Sequence, residues 1–310
     1  MNFQGLLNRL DKNRRHLGKW ARREHLEAYR IYDRDMPEFP LAIDLYGKAL
    51  HVQVFERKRP LQEEQLQTLE DALLQHFQLQ PEQLAIKTRK RQRGLSQYEK
   101  LAKSASSFEV RERDYRFEVN LHRYLDTGLF LDHRDTRYMV GQRAEGKSFL
   151  NLFAYTGSFS VYAAGGGARR TVTVDMSNTY QAWSKRNLAI NDLSDDQRHM
   201  FVQSDVLAFL QQMREAKVRF DLIVLDPPSF SNSKRMQATF DVQRDQFDLL
   251  KKTTALLAPG GELFFSNNRQ GFRLDDAVGE LAEVEEITQR TVPQDFKRHQ
   301  PHRCWILRNA

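Results

Sequence analysis

The chain has 310 residues, is 40% hydrophobic and 29% charged, and carries a net charge of +7, a composition that predicts a globular protein large enough for two domains. No apolar stretch approaches the roughly 20 residues that span a bilayer, and the first residues lack the apolar run of a secretory signal, so no membrane partner is expected. The single cysteine, Cys304, excludes an intramolecular disulfide and a thiolate zinc cluster and points to a reducing, cytoplasmic compartment.

The charge is unevenly spread. Residues 1–25 hold seven Lys and Arg against Asp11 and Glu24, and residues 87–103 hold seven against Glu99, so the rest of the chain is net acidic. Two basic patches on an acidic body suit a polyanionic partner, although solvated surface faces give the same pattern. The first patch falls on a predicted helix over Leu6–Tyr29. There Leu6, Leu7, Leu10, Leu17, Trp20 and Leu26 recur at helical spacing, and Arg14, Arg15, Lys19, Arg22 and Arg23 form a basic face. Residues 1–39 are expected to be this basic helical segment.

From Pro40 the period changes to two. Leu41–Tyr46 and Leu50–Phe55 alternate apolar and polar residues around Gly47-Lys48, the pattern of a hairpin. A helix over Leu61–Phe77 and a strand over Leu84–Thr88 follow. The run Lys87-Thr-Arg89-Lys90-Arg91-Gln-Arg93-Gly94 is too polar for burial and is expected at the surface. Strand-like runs at Ser107–Val110 and Tyr115–Leu121 complete a small α+β domain over residues 40–135, read as the substrate-facing part.

Residues 136–310 repeat strand then helix. The predicted strands are Phe149–Phe153, Thr171–Val174, Met200–Gln203, Asp221–Leu225 and Glu262–Ser266, each apolar on both faces as in a covered parallel sheet. Predicted helices lie between them at Ser158–Ala164, Asn178–Ile190, Val206–Glu215 and Val242–Leu257. The rhythm ends with two strands and no helix between them, Ile287–Val292 and Arg303–Arg308. A parallel α/β sheet closed by an antiparallel C-terminal hairpin describes the Rossmann-like class I methyltransferase sheet.

In such a sheet, ligands bind at the carboxyl ends of the strands. The first strand runs into Asn151-Leu-Phe153-Ala154-Tyr155-Thr156-Gly157, a turn with one glycine and not the G-x-G-x-x-G of a dinucleotide site, which disfavours a nicotinamide dehydrogenase. The second ends in Asp175, placed to accept from ribose hydroxyls or to cap the next helix. Asp205, after the third strand, can accept from an adenine amine or serve as an N-cap. The fourth ends in Asp226-Pro227-Pro228-Ser229-Phe230. Its two prolines fix the exit path and remove two donors, which leaves acceptors beside an aromatic face, a combination suited to a planar nitrogenous base. No His, Asp and Glu spacing suggests a metal site, and His299 and His302 are expected to face solvent.

The run Phe149–Ser160, with Val174-Asp175-Met176-Ser177 and Asp226–Phe230, resembles the bacterial large-subunit rRNA methyltransferases. Asp126-Thr-Gly-Leu-Phe130-Leu-Asp132-His-Arg134 resembles an additional cofactor-pocket motif of that family. The resemblance covers nearly the whole chain and is nearest to the branch that makes N7-methylguanosine in 23S rRNA, whose members are often fused to a guanine-N2 methyltransferase half. It implies S-adenosyl-L-methionine as cofactor. It implies a cofactor site formed by Phe130, Asp132, Arg134, Asn151, Phe153, Ala154, Tyr155, Thr156, Gly157, Asp175, Met176, Ser177, Ser204, Asp205, Val206 and Asp226, with Asp226, Pro227 and Phe230 at the reacting base. RNA contacts are assigned to Arg14, Arg15, Arg22, Arg23, Arg89, Lys90, Arg91, Arg93, Asn267 and Asn268.

One departure separates the relatives. Enzymes of the family that make 5-methylcytosine need a thiolate after the fifth strand, and that position here reads Ser266-Asn267-Asn268-Arg269. Without a nucleophilic thiol there is no route to a pyrimidine C5. Guanine N7 already offers a lone pair in the ring plane and needs only orientation. Methylation of a guanine N2 amine is the alternative that the motif alone leaves open. A non-catalytic RNA-binding assembly factor is disfavoured by the intact Gly157, Asp175, Asp205 and Asp226.

Overall fold

The computed structural model describes residues 3–55, 61–89, 106–231 and 239–309. The chain forms two compact units: residues 1–131 with 294–299, and residues 132–293 with 300–310.

The first unit begins with helix α1 (Gln4–Arg23). The helix stops six residues before the predicted end, because His25 adopts a left-handed backbone (φ +54°) and the chain turns into strand β1 (Ala28–Asp33). The expected helical segment thus contains a strand that the sequence reading missed. Strands β2 (Leu41–Tyr46) and β3 (Ala49–Phe55) form the hairpin expected around Gly47, paired Leu41 to Val54 through Tyr46 to Ala49. Helix α2 (Glu63–Phe77) then carries the chain to β4 (Leu84–Arg89), which pairs parallel to β3. The sheet order is β1-β2-β3-β4. Leu6 and Leu10 of α1 and Leu69 and Leu73 of α2 share one core with Ile31, Ile43, Leu50 and Val52. An antiparallel pair, β5 (Phe108–Glu112) and β6 (Tyr115–Val119), joins this unit through a bridge from Leu26 to Glu112.

Lys87 corrects the expectation that the basic run is wholly exposed. It lies in β4 with only 8% of its surface exposed, and its ammonium donates to the carbonyls of Tyr124 (2.5 Å) and Leu125 (3.2 Å). Backbone oxygens satisfy the buried charge that composition alone places in water. Arg89 ends β4, while Lys90, Arg91 and Arg93 lie outside the described residues.

The second unit is a seven-stranded Rossmann-like sheet. Helix α3 (Arg134–Gly141) precedes β7 (Ser148–Leu152), and then α4 (Ser158–Gly165), β8 (Arg170–Asp175), α5 (Asn178–Ala189), β9 (His199–Gln203), α6 (Val206–Glu215) and β10 (Phe220–Leu225) alternate. Two-residue strands β11 (Phe230–Ser231) and β12 (Phe240–Asp241) pair with each other, and α7 (Val242–Thr254) leads to β13 (Leu257–Asn267). The chain closes with β14 (Glu283–Glu286), the single-turn helix α8 (Thr288–Thr291) and β15 (Arg303–Arg308).

Strand order is β14-β15-β13-β10-β7-β8-β9, with β9, β8, β7, β10 and β13 parallel and β15 antiparallel to both β13 and β14. Alternate residues serve opposite faces: Leu222, Val224, Phe264 and Ile306 pack with α3 and α4, whereas Ile223, Leu225, Phe265 and Leu307 pack with α6 and α7. The closing strand is not where the sequence placed it. Residues 288–291 are helical, with Thr288 and Thr291 buried, and Glu283–Glu286 supplies the edge strand instead. The Thr291 hydroxyl bonds the Thr288 carbonyl (3.0 Å), a local contact that offsets the β preference of threonine.

Candidate active site

The chain winds outward from β7 in both directions, to β8 and β9 on one side and to β10 and β13 on the other. The order therefore reverses between β7 and β10, and their carboxyl ends open a crevice there. The segments leaving these two strands are Phe153–Gly157 and Asp226–Phe230.

The first segment has an unusual backbone. Phe153, Tyr155 and Gly157 all have positive φ (+55°, +52° and +74°). A Cβ at Gly157 would lie 2.7 Å from Cβ and Oγ of Ser184, so only glycine fits between this turn and α5. The turn is held by Asp175 at the end of β8. One carboxylate oxygen accepts from the Tyr155 amide and the other from the Ser177 amide, both at 2.9 Å. Burial nevertheless pushes the Asp175 carboxyl up to about 6, so the group still lacks donors that a ribose diol can supply.

Asp226 sits across the crevice at the end of β10. Ser266 on β13 donates to its Oδ1 at 2.7 Å, and Nε2 of His133 lies 3.4 Å from its Oδ2. Burial, reinforced by the nearby charge of Asp132, pushes this carboxyl up to about 6 as well. Pro227 is buried, while Phe230 keeps 47% of its surface exposed, which is uncommon for a large aromatic side chain. Beside it, Ser229 donates to Oδ1 of the exposed Asn268 at 2.7 Å.

Two histidines complete this region, and the sequence reading missed both. His302, expected in solvent, is only 2% exposed and stacks on His133, with ring centroids 4.4 Å apart and planes 14° apart. Nδ1 of His302 lies 3.1 Å from Oδ2 of Asp132. Burial disfavours the Asp132 charge, but His133 and the His302 hydrogen bond hold the carboxyl well below the usual range. Burial also pushes both imidazoles below theirs. Asp132, His133 and His302 bring potential metal-ligand atoms within 4.8 Å of one another. In-plane lone pairs of two stacked rings run parallel, however, and do not converge on a shared ion. Asp132 and His133 lie inside the Asp126–Arg134 motif, so their pairing was open to notice. His302 is 170 residues away and carried no signal.

The remaining expected residues divide. Ala154 and Thr156 are buried in the β7 turn, and Met176 and Ser177 follow Asp175, with Ser177 capping α5. Asp205 is the N-cap of α6 and accepts from the Ala208 amide at 3.0 Å, with Ser204 and Val206 on either side. Asn151 spends its amide on Ser160 (3.0 Å), whose hydroxyl meets Thr173, so it ties β7 to α4 and β8. Asn267 is 1% exposed, and its Oδ1 accepts from the Arg269 amide, so its surface is withdrawn from solvent. Arg134 is fully buried in α3, and Phe130 belongs to the first unit. Cys304 is buried in β15, and burial pushes its thiol well above the ordinary range. It cannot act as a nucleophile.

The family of S-adenosylmethionine-dependent methyltransferases matches residues 32–301. The chain belongs to that family. Ribosomal RNA large subunit methyltransferase K of Neisseria meningitidis serogroup B is 50% identical to this methyltransferase over 306 residues, 97% of this chain and 86% of that protein. The fold is shared with the methyltransferase SMU.776, crystallised with SAH (TM-score 0.78, 23% identity, covering 100% of this chain and 82% of that one). It is also shared with a SAM-dependent methyltransferase from Streptococcus mutans (TM-score 0.75, 22% identity, the same coverage). The cofactor of this methyltransferase is S-adenosyl-L-methionine. The crevice suits it: a turn where a Cβ has no room, and beyond it a buried carboxylate short of donors.

Proposed function

We propose that this methyltransferase makes N7-methylguanosine in 23S rRNA. The observation that carries the reading is the pairing of a half-buried acceptor, Asp226, with the exposed ring of Phe230 on one rigid exit from β10. The similarity to a relative named for the large ribosomal subunit supports rRNA as the substrate class. S-adenosyl-L-methionine, when bound, supplies an electrophilic methyl group on sulfur. The chain's own work is to bind, orient and compensate charge.

Asp175 takes the ribose hydroxyls, Asp205 offers its second oxygen to the adenine amine, and the Phe153–Gly157 turn packs along the cofactor. Asp132, Arg134, Met176, Ser177, Ser204 and Val206 belong to the same proposed pocket. Phe230 stacks on the guanine, and Asp226 with the carbonyl of Pro227 accepts from its N–H edge. When the N7 lone pair bonds the methyl carbon, the ring becomes cationic and its N1–H more acidic. An ionised Asp226 then binds the ring more strongly in the transition state than in the ground state. The guanine is unstacked to reach the crevice, because N7 faces the deep, narrow groove of A-form RNA. Arg14, Arg15, Arg22 and Arg23 are exposed on α1, available to the phosphate backbone, and Asn268 is available to the flanking nucleotides.

Product mapping by borohydride and aniline cleavage tests the proposal. A cut at one guanosine of 23S rRNA treated with enzyme and cofactor is expected, and methylation without a cut indicates the N2 amine instead. Phe230→Ala is expected to lower activity at limiting RNA by about 10- to 100-fold, the loss of about 1–3 kcal/mol of base stacking. Unchanged kinetics would remove the ring from the base site. Replacing Arg14, Arg15, Arg22 and Arg23 with Ala should weaken RNA binding and flatten its log–log salt dependence by up to about 3 units. An unaltered slope excludes α1 from the interface.

A further inference from the structure

A continuous chain of polar groups crosses the buried side of the second unit, and the methyl-transfer chemistry above does not use most of it. Oγ1 of Thr291 lies 3.1 Å from Nε2 of His302, and Nδ1 of His302 lies 3.1 Å from Oδ2 of Asp132. The same Asp132 oxygen is 3.9 Å from Nε2 of His133, which is 3.4 Å from Oδ2 of Asp226. Ser266 closes the chain at the other Asp226 oxygen, at 2.7 Å. Five separate parts of the sequence contribute, and the two imidazoles are stacked face to face.

The positions of the protons follow from the partners. Nδ1 of His133 is buried with no hydrogen-bond partner among the described residues, so protonating it would bury an unsatisfied donor. The one proton of a neutral His133 therefore sits on Nε2, facing two carboxylates. The Asp132 carboxylate can only accept, so Nδ1 of His302 carries the proton. His302 hydrogen-bonds Asp132, which His133 also faces at 3.9 Å, so the shorter contact of His133 is the one to Asp226, at 3.4 Å. If His302 did not engage Asp132, the two carboxylates would compete for a single N–H, and the uncompensated charge of Asp132 would bear on Asp226.

We propose that His302 is a positioning residue for methyl transfer: by engaging Asp132 it reserves the Nε2–H of His133 for Asp226, which stays ionised and aimed at the substrate base. The inference rests on the assignment of Asp226 as the base acceptor. The charged and titratable groups facing Asp226 are Asp132, His133 and Arg137 from the segment that forms α3, and His302 and Cys304 from the segment that forms β15. Of these, His302 hydrogen-bonds the competing carboxylate, and it also acts on Asp226 through space.

The test compares two variants of the full chain across pH 5 to 9. His302→Phe keeps a ring on His133 but removes the donor, and His302→Asn keeps a donor at the Nδ1 position but removes the ring. In the parent, kcat should rise with pH through an acid limb near the Asp226 titration, at about 6. In His302→Phe that limb should move up by about one pH unit, the size expected when a neighbouring carboxylate loses its partner, with KM for cofactor and RNA within about twofold of the parent. His302→Asn should restore it. An unmoved limb in His302→Phe, or an equal loss in both variants at every pH, overturns the proposal. A parent profile with no acid limb overturns the Asp226 assignment instead. Imidazole nitrogen shifts of the parent give a reading that does not depend on either variant folding. His133 should be the Nε2–H tautomer and His302 the Nδ1–H tautomer, and the reverse assignment at either ring refutes the scheme.

Discussion

Asp226→Asn is expected to reduce methyl transfer by at least about 100-fold at neutral pH, the usual cost of removing one preorganised polar group from the transition state, without lowering the melting temperature. The two halves of this expectation have one cause. Burial raises the Asp226 carboxyl from its ordinary 3.8 to about 6 in the folded chain. The folded state therefore binds the proton more tightly than the unfolded state. Stability falls as pH rises from about 4 through about 6, and above that range the ionised carboxylate costs the fold on the order of 3 kcal/mol. That figure is an upper value, because the side chain retains 25% exposure.

Asparagine removes the charge while its carbonyl can still accept from Ser266. The melting temperature of Asp226→Asn relative to the parent should therefore improve between pH 5 and pH 7, the interval in which the parent gains activity. Scanning calorimetry and initial rates on the same samples check both halves. A variant that melts several degrees lower at pH 7 would mark Asp226 as a structural residue.

Gly157→Ala should weaken cofactor binding by at least about 100-fold and destabilise the fold by about 2–3 kcal/mol, the sum of a left-handed backbone penalty and a steric clash. The methyl group would meet Ser184 at 2.7 Å, and Ser184 cannot retreat freely, because its hydroxyl donates to the carbonyls of Tyr155 and Tyr180. Adding Ser184→Gly removes the clash but leaves the φ of +74°, so the double variant should recover part of the stability and only part of the affinity. Titration calorimetry with S-adenosyl-L-methionine and denaturant unfolding separate the two contributions. Parental affinity in Gly157→Ala would place the cofactor away from this turn.

The sheet was legible because its strands are buried on both faces. Leu150, Leu152, Ile223 and Leu225 form short apolar runs that no amphipathic helix would show, and Asp226 marks the end of the second. Where the reading failed, a contact distant in sequence or a local hydrogen bond had overridden the pattern. Helical spacing continues through Leu26 and concealed the left-handed His25, where the chain turns from α1 toward β1. Thr288 and Thr291 favour a strand by type, but the Thr291 hydroxyl serves a helical turn, and the Thr288 hydroxyl donates to Glu286 and accepts from the Cys304 amide. Lys87 is stabilised inside by carbonyls 37 and 38 residues away, and the partner of His302 is 170 residues away. Spacing in sequence carries no information about such pairs.

The short return of residues 294–299 to the first unit has a practical consequence. Within that unit the Asp295 carboxylate accepts from the Arg30 amide at 2.9 Å, and the Arg30 guanidinium lies 4.3 Å over the Phe296 ring. The unit is discontinuous, so no single cut in the gene yields it whole. A fragment ending near residue 131 exposes the sites that Asp295 and Phe296 cover, and a fragment starting there carries an insertion with nothing to fold against. Dissection of this enzyme calls for a circular permutant, or for a graft of residues 294–299 onto the first fragment through a designed linker.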